Sequence, residues 1–169
     1  CLAGEIPKAL QRGDYGAAKE TALWYDRVFG RGNYYLELQN HGLREQLEIN
    51  PFLIKLSKET GIPLVATNDA HYLTPADSRM QKVLICIQTN HTIEEDNPLA
   101  FGTDQFYMKS AEEMAALFPD LPEAIENTVK IADRCQVDFE FGQTKLPVFD
   151  IGDQDHEAYF RKRCFDGLY

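Results

Sequence analysis

The pattern of apolar and polar residues along the chain predicts helices that alternate with short strands. Residues 33–40 alternate with a period of two and predict a strand, and the apolar run at 63–66 predicts a second, buried one. Residues 105–108 predict a third short strand, and 136–153 predict an irregular segment with one more. Seven helices are predicted, over 6–11, 14–29, 43–60, 74–87, 122–135 and 159–168, together with a short one that begins at 110. This alternation is typical of an α/β fold with parallel strands.

Local signals mark where several helices begin and end. Asp14 is a predicted N-cap, and Ser110 opens a capping box that ends at Glu113. Gly61 predicts a C-terminal stop, and Pro51 predicts a split or a kink in the third helix. Two apolar stripes are interpreted as core. They comprise Ala18, Ala22, Leu23, Val28 and Phe29 in the second helix, and Met80, Val83, Leu84 and Ile87 in the fourth.

Composition limits the class of protein. A chain of 169 residues with 44% hydrophobic and 26% charged residues is expected to form one soluble domain. The net charge of −10 argues against a broad nucleic-acid surface, although a small acidic site could meet phosphates through bound cations. No apolar run is long enough to span a bilayer, and four scattered cysteines predict reduced thiols, so we expect a cytoplasmic protein without a membrane partner. Because the chain lacks an initiating Met, it reads as an excerpt.

The candidate chemistry lies directly after the second predicted strand, at Asp69 and His71. The carboxyl ends of parallel strands are where α/β folds place their sites. A carboxylate and an imidazole two residues apart can bind one metal ion. Three residues alone favour a simpler interpretation, an Asx turn that leaves His71 exposed.

Polar residues of the first strand extend this picture. Glu37 and Gln39 alternate with the apolar positions and are expected to point into the interior of a barrel, where they need partners. His41 follows at the end of the same strand. The sequence favours a surface-loop histidine there over a role in the site.

Long motifs connect the chain to a known family. The segments YLELQNHG, GIPLVATNDAHYL and FYMKSAEEMAALFPDLPEAIENTVKIADRC resemble, in order, the bacterial DNA polymerase III alpha subunits. They are similar to the later part of the N-terminal "polymerase and histidinol phosphatase" (PHP) domain. The resemblance implies that residues 1–150 form the C-terminal portion of a distorted (β/α)7-type PHP barrel. Residues 151–169 would begin the connection to the polymerase region.

The same resemblance implies a metal site. By motif, Asp69 and His71 correspond to ligands with a catalytic role, and Cys1, after CLAGEIP is aligned, corresponds to a further ligand. Zinc or manganese held there would activate water for attack on a phosphodiester, which implies a 3′–5′ proofreading exonuclease. The remaining family ligands precede Cys1, so this chain alone is expected to be inactive.

For the whole protein, the resemblance implies the catalytic alpha subunit, a nucleotidyltransferase that performs DNA-directed DNA synthesis with Mg²⁺ in a region outside this sequence. The implied partners are DNA, chiefly through other regions, and replicase subunits such as the sliding clamp and a proofreading exonuclease. Two alternatives stay open. One is a vestigial PHP domain that serves as a structural or exonuclease-docking module, and the other is a stand-alone PHP phosphoesterase.

Overall fold

The structure, a computed structural model, describes residues 2–95, 97 and 99–168. Contacts divide the chain into two compact units, residues 1–135 and 136–169. This division follows contacts within the chain. The boundary expected between residues 150 and 151 is one between domains of the family, and it stays a prediction.

All seven predicted helices form, together with two short strands. The first unit contains α1 (Glu5–Gln11), α2 (Tyr15–Phe29), β1 (Leu36–Leu38), α3 (Arg44–Thr60), β2 (Leu64–Ala66), a 3₁₀ turn (Pro75–Asp77), α4 (Ser78–Thr89), α5 (Ala111–Leu117) and α6 (Pro122–Arg134). The second unit contains α7 (His156–Asp166). The strand expected within 136–153 is wrong, since that stretch, all of which is described, forms none.

The two strands pair in parallel and place their C-terminal ends side by side. Leu36 lies opposite Leu64, and Leu38 lies opposite Ala66. The backbone N–H of Thr67 donates to the carbonyl oxygen of Leu38 at 3.0 Å, so the pairing continues to the point where the chain leaves β2. The described elements are thus a mixed α/β arrangement with parallel strands. A complete PHP barrel stays a prediction.

Short-range signals determine the helix ends. Asp14 accepts a hydrogen bond from the N–H of Ala17 at 2.9 Å, as an N-cap should. Ser110 and Glu113 form both bonds of the predicted capping box. Gly61 ends α3 with φ of 74°, where a side chain would be strained. At Pro51 the sequence predicted a split or a kink; the split does not form, because α3 runs through Pro51 as one helix, and the kink stays a prediction.

The core lies between the two strands and the helices packed on them. Its fully buried members include Leu38, Leu56 and Ile62. α2 reaches this core through Ala18 and Ala22, both 0% exposed, because small side chains let α1 and α3 approach closely. Val28 and Phe29 are each 57% exposed, so the predicted stripe of α2 is wrong beyond its alanines.

α4 also buries a face different from the one predicted. Ile85 and Cys86 are buried, whereas Met80, Leu84 and Ile87 are exposed. Which face of α4 is buried depends on the parts of the chain that pack against it. The spacing of apolar residues within α4 does not show which face that is. Among the helices of the described residues, none combines the length and the apolarity that crossing a bilayer requires.

Candidate functional site

The loops that follow β1 and β2 meet at the C-terminal end of the strand pair. Glu37 lies on the face opposite Leu36 and Leu38, as the alternation predicted. Its carboxylate accepts a 2.6 Å hydrogen bond from the hydroxyl of Thr67, and the amide of Gln39 lies 3.4 Å from the same hydroxyl oxygen. Polar side chains of β1 and of the residue that follows it therefore connect the end of β1 to the first residue after β2. That these side chains point into the interior of a barrel stays a prediction.

Asp69 occupies a strained backbone position in the second loop. Its φ is +58°, in the left-handed region that few residues other than glycine adopt, although aspartate tolerates it better than most. The side chain is 43% exposed. The carboxylate accepts no backbone hydrogen bond among the described residues, so the Asx turn that the sequence favoured does not form. Backbone strain of this kind is found preferentially at functional sites.

His71 is oriented by the backbone of Asp69. Its Nδ1 lies 3.1 Å from the carbonyl oxygen of Asp69 and 3.7 Å from Oδ1 of the carboxylate. A carbonyl oxygen can only accept, so Nδ1 carries the proton in this bond, and in the neutral ring the lone pair is on Nε2. Within the described part of the chain, Nε2 has no hydrogen-bond partner. A histidine with one nitrogen held by a carbonyl and the other free has the usual arrangement of a metal ligand.

An aromatic cluster supports the histidine ring from one side. It consists of His41, His71, Phe101 and Phe106. The ring of His71 makes T-shaped contacts with Phe101, at 4.6 Å between ring centroids, and with Phe106, at 5.6 Å. Phe106 stacks on Phe101 at 4.3 Å and on His41 at 4.2 Å, with ring planes of Phe106 and His41 only 6° apart. The cluster limits how far the His71 ring can turn.

His41 is a buried member of this cluster, so the surface-loop interpretation is wrong. Its residue surface is 1% exposed. Gln46 binds it twice, since the amide Oε1 accepts from the His41 backbone N–H at 2.8 Å and Nε2 lies 3.0 Å from ring Nδ1. Ring Nε2 lies 3.0 Å from the carbonyl oxygen of Asn68. Because the carbonyl accepts and the amide donates, His41 is neutral with its proton on Nε2.

These bonds anchor the loop that carries the candidate ligands. The carbonyl of Asn68 is held by His41, and its side-chain amide donates to the carbonyl of Tyr107 at 3.0 Å. The backbone N–H of His71 donates to the carbonyl of Phe106 at 2.7 Å, and Tyr72 forms a parallel bridge with Tyr107. Of the third strand expected at 105–108, only this bridge at Tyr107 forms. Asn68 and the backbone of His71 are therefore held by His41 and by residues 106–107.

The structure brings together two of the three residues expected to bind metal. Asp69 and His71 are neighbours in space, and Cys1 lies outside the described residues. Within the described ranges, no group of three or more His, Cys, Asp and Glu side chains is arranged to hold a metal ion. The metal site thus stays a prediction. Gln46, Phe101 and Phe106 were missed, because nothing in their local sequence shows that they meet His41 or His71.

Comparisons with known proteins test the resemblance itself. No family model matches the chain. The DNA polymerase III alpha subunit of Treponema pallidum is 44% identical over 171 residues, which cover 100% of this chain and 15% of the relative. The subunit of Borreliella burgdorferi is 45% identical over 153 residues, 89% of this chain and 13% of the relative. That of Helicobacter pylori is 39% identical over 193 residues, 99% and 16% respectively.

The chain thus spans only about a sixth or less of the length of these curated relatives. Within that span, the similarity runs through both strands and both loops described above. Identity of 39% to 45% over nearly all of its residues is far above what unrelated sequences show. The chain is therefore a homologue of one segment of the bacterial DNA polymerase III alpha subunit family.

Proposed function

We propose that this chain is the later part of the PHP domain of a DNA polymerase III alpha subunit, where Asp69 and His71 help to bind a divalent metal for phosphodiester hydrolysis. The activity would be a 3′–5′ exonuclease that proofreads the product of DNA-directed DNA synthesis. The observation that carries the proposal is the orientation of His71. Its Nδ1 is held by the Asp69 carbonyl and its Nε2 lone pair is left for a ligand bond.

The donor set fits the proposed metals. Imidazole nitrogen suits zinc and manganese, and a carboxylate can bind either ion or bridge two of them. The loop is rigid enough to hold them, because His41 and Tyr107 fix the backbone and the amide of Asn68. A metal bound here would lower the pKa of a coordinated water and so supply the nucleophile at neutral pH. Further ligands, Cys1 among them, belong to the same prediction.

The chain's own residues have separate tasks in this proposal. Asp69 supplies negative charge at the loop tip, and its carbonyl selects the tautomer of His71. Phe101 and Phe106 cover one side of the His71 ring and restrict its rotation. His41 acts through the Asn68 carbonyl and is a positioning residue.

For the whole protein, the homology supports a DNA polymerase as the parent enzyme, working with DNA and other replicase subunits. Synthesis would use Mg²⁺ bound in regions that this chain does not contain. The sliding clamp and a proofreading exonuclease subunit are the partners proposed. The acidic balance of this segment, with a net charge of −10, agrees with DNA being held chiefly elsewhere.

The test is the substitution Asp69→Asn in the full-length subunit. Loss of outer-shell partners of a metal ligand typically costs 10–100-fold in metal affinity or activity, so loss of the ligand itself should reduce metal-dependent exonuclease activity by more than about 100-fold. Nucleotide addition on a primed template should be unchanged. Asp133→Asn, on the exposed face of α6, is the matched control.

Elemental analysis of the same proteins separates the alternatives. The proposal expects bound zinc or manganese in the wild-type subunit and less of it in the Asp69→Asn variant. A docking module with a vestigial site would contain no such metal and would show no change in exonuclease activity. Exonuclease activity that survives Asp69→Asn at the wild-type rate would remove the catalytic role assigned to this loop.

A further inference from the structure

A cavity next to the aromatic cluster is not used by the proposed function. It has a volume of about 330 Å³ and lies between the first half of α4 and the segment 101–104. Arg79 and Lys82 line it from α4, together with Ser78 at the start of that helix. A water molecule takes about 30 Å³ in the liquid, so the space suffices for a phosphate group and its neighbouring sugar. This volume is within the range of small-ligand sites.

The cavity is more basic than the chain around it. Arg79 and Lys82 are three residues apart and share one face of α4. Within the described residues, neither side chain has an ion-pair or hydrogen-bond partner. The carboxylate of Asp104 also lines the cavity, and it accepts a hydrogen bond from the side chain of Gln105 at 2.7 Å. Two unpaired cations facing one carboxylate, in a chain of net charge −10, favour an anionic ligand.

Hydroxyl groups complete a set of donors on opposite walls. Thr103 accepts a hydrogen bond from the N–H of Gln105 at 3.2 Å, which leaves its O–H proton available to a ligand. Ser78 offers a second hydroxyl from α4. A guanidinium, an ammonium and two hydroxyls are the donors that proteins use for phosphate oxygens. A neutral or cationic ligand would leave the two cations uncompensated.

The cavity adjoins the candidate metal loop through two aromatic residues, Tyr72 and Phe101. Phe101 forms part of its wall and makes a T-shaped contact with His71, with 4.6 Å between the ring centroids. Tyr72, which follows His71 in sequence, lines the same cavity, and its hydroxyl accepts from the N–H of Phe106 at 3.2 Å. A ligand held by Arg79 and Lys82 is therefore separated from His71 by a single aromatic side chain.

We infer that this cavity binds a phosphate group of a single-stranded nucleic acid, so that a neighbouring phosphodiester reaches the Asp69 and His71 loop. The nature of the strand rests on the proposed function, whereas the preference for phosphate rests on the cavity itself. Two cations make a small footprint, which suits a flexible strand end better than a duplex, whose binding needs a longer basic surface.

The test measures binding of a fluorescein-labelled oligothymidylate to the 169-residue chain by fluorescence anisotropy. EDTA is present, so that no metal bridges the strand to Asp69. The variant Arg79→Gln/Lys82→Gln should weaken binding roughly tenfold at low salt. It should also make the negative slope of log affinity against log salt concentration shallower by about 1.4, because each of the two lost contacts with a single strand contributes about 0.7.

The matched control removes two other exposed cations, as Lys8→Gln/Arg12→Gln at the end of α1. This control changes the net charge equally and should leave affinity within about twofold. Equal losses in both variants, or no loss in the first, would overturn the inference. Inorganic phosphate serves as a competitor. If phosphate binds in the cavity and Arg79→Gln/Lys82→Gln leaves oligothymidylate affinity unchanged, the ligand is free phosphate and the assignment of a nucleic-acid strand is wrong.

This result is independent of the outcome for the metal site. The two experiments use different variants and different measurements, because Asp69 does not line the cavity. Exonuclease activity that resists Asp69→Asn would refute the proposed function and leave the binding result standing. Binding that resists the α4 substitutions would refute the cavity and leave the metal loop standing.

Discussion

Replacing His41 by leucine tests whether the buried histidine holds the candidate loop in place. The substitution removes both ring hydrogen bonds and preserves a side chain of similar size. It leaves the amide donor of Gln46, which is 4% exposed, and the carbonyl of Asn68 without their partner. It also removes the stack between the ring and Phe106.

The magnitude follows from these lost contacts. A buried polar group left without its partner costs about 1–3 kcal/mol, toward the upper end for Gln46 and the lower end for the half-buried carbonyl of Asn68. The lost stack adds about 0.5–1.5 kcal/mol. We expect His41→Leu to lower the free energy of unfolding by about 3–4 kcal/mol after leucine regains some apolar contact. That is a large part of the about 5–15 kcal/mol that typically holds a domain together.

The assay is urea unfolding followed by circular dichroism. We expect a lower midpoint with an unchanged slope, because the surface exposed on unfolding stays the same. His156→Leu, at an exposed position at the start of α7, should change stability by less than about 0.5 kcal/mol. Gln46→Leu and the double variant complete a cycle in which the two changes should couple by at least about 1 kcal/mol, since each breaks the same bond.

Additive effects in that cycle, or a loss for His41→Leu below about 1 kcal/mol, would refute the reasoning. Either result would mean that the amide and the carbonyl find water or other partners once the ring is gone. The loop after β2 would then not depend on His41 for its shape.

Two further predictions concern the strand pair and its surroundings. Asn127 is 4% exposed and donates to the Leu64 carbonyl of β2 at 2.7 Å, so Asn127→Leu should lower the free energy of unfolding by about 1–3 kcal/mol in the same assay; an unchanged midpoint would contradict this. Burial, with the nearby Tyr25 and Glu5, raises the pKa of Tyr34 to about 12. Because this pKa lies above that of an unfolded tyrosine, the stabilisation by neutral Tyr34 is complete below about pH 10 and is lost as the pH rises through about 12. In an ultraviolet titration, Tyr34→Phe should remove a phenol that ionises near pH 12, and persistence of that phenol in the variant would assign it to another tyrosine.

The sequence predicted best what depends on residues close together in the chain. The caps at Asp14 and Ser110 involve partners three residues away, and both form as predicted. The apolar run and the polar tip after it placed β2 and its loop correctly. These features need only local geometry, which the residues themselves determine.

The failures share one physical cause, which is that burial depends on distant neighbours. Val28 and Phe29 looked like core because they are apolar, yet the close approach of other helices selects Ala18 and Ala22. His41 looked like a loop residue because it precedes a glycine. Its partner Asn68 is 27 residues away, and its stacking partner Phe106 is farther still. No spacing rule reveals such contacts.

The parallel pairing of β1 with β2 also determines how this unit folds. Residues 36 and 64 can meet only after the chain between them has made a crossover, and closing that span costs conformational entropy before any strand contact repays it. α3 occupies 17 residues of the crossover and shortens it as it forms. We therefore expect α3 to belong to the folding nucleus. The C-terminal end of the strand pair, where Asp69 and His71 lie, would then form late, after α3 has brought the two strands together.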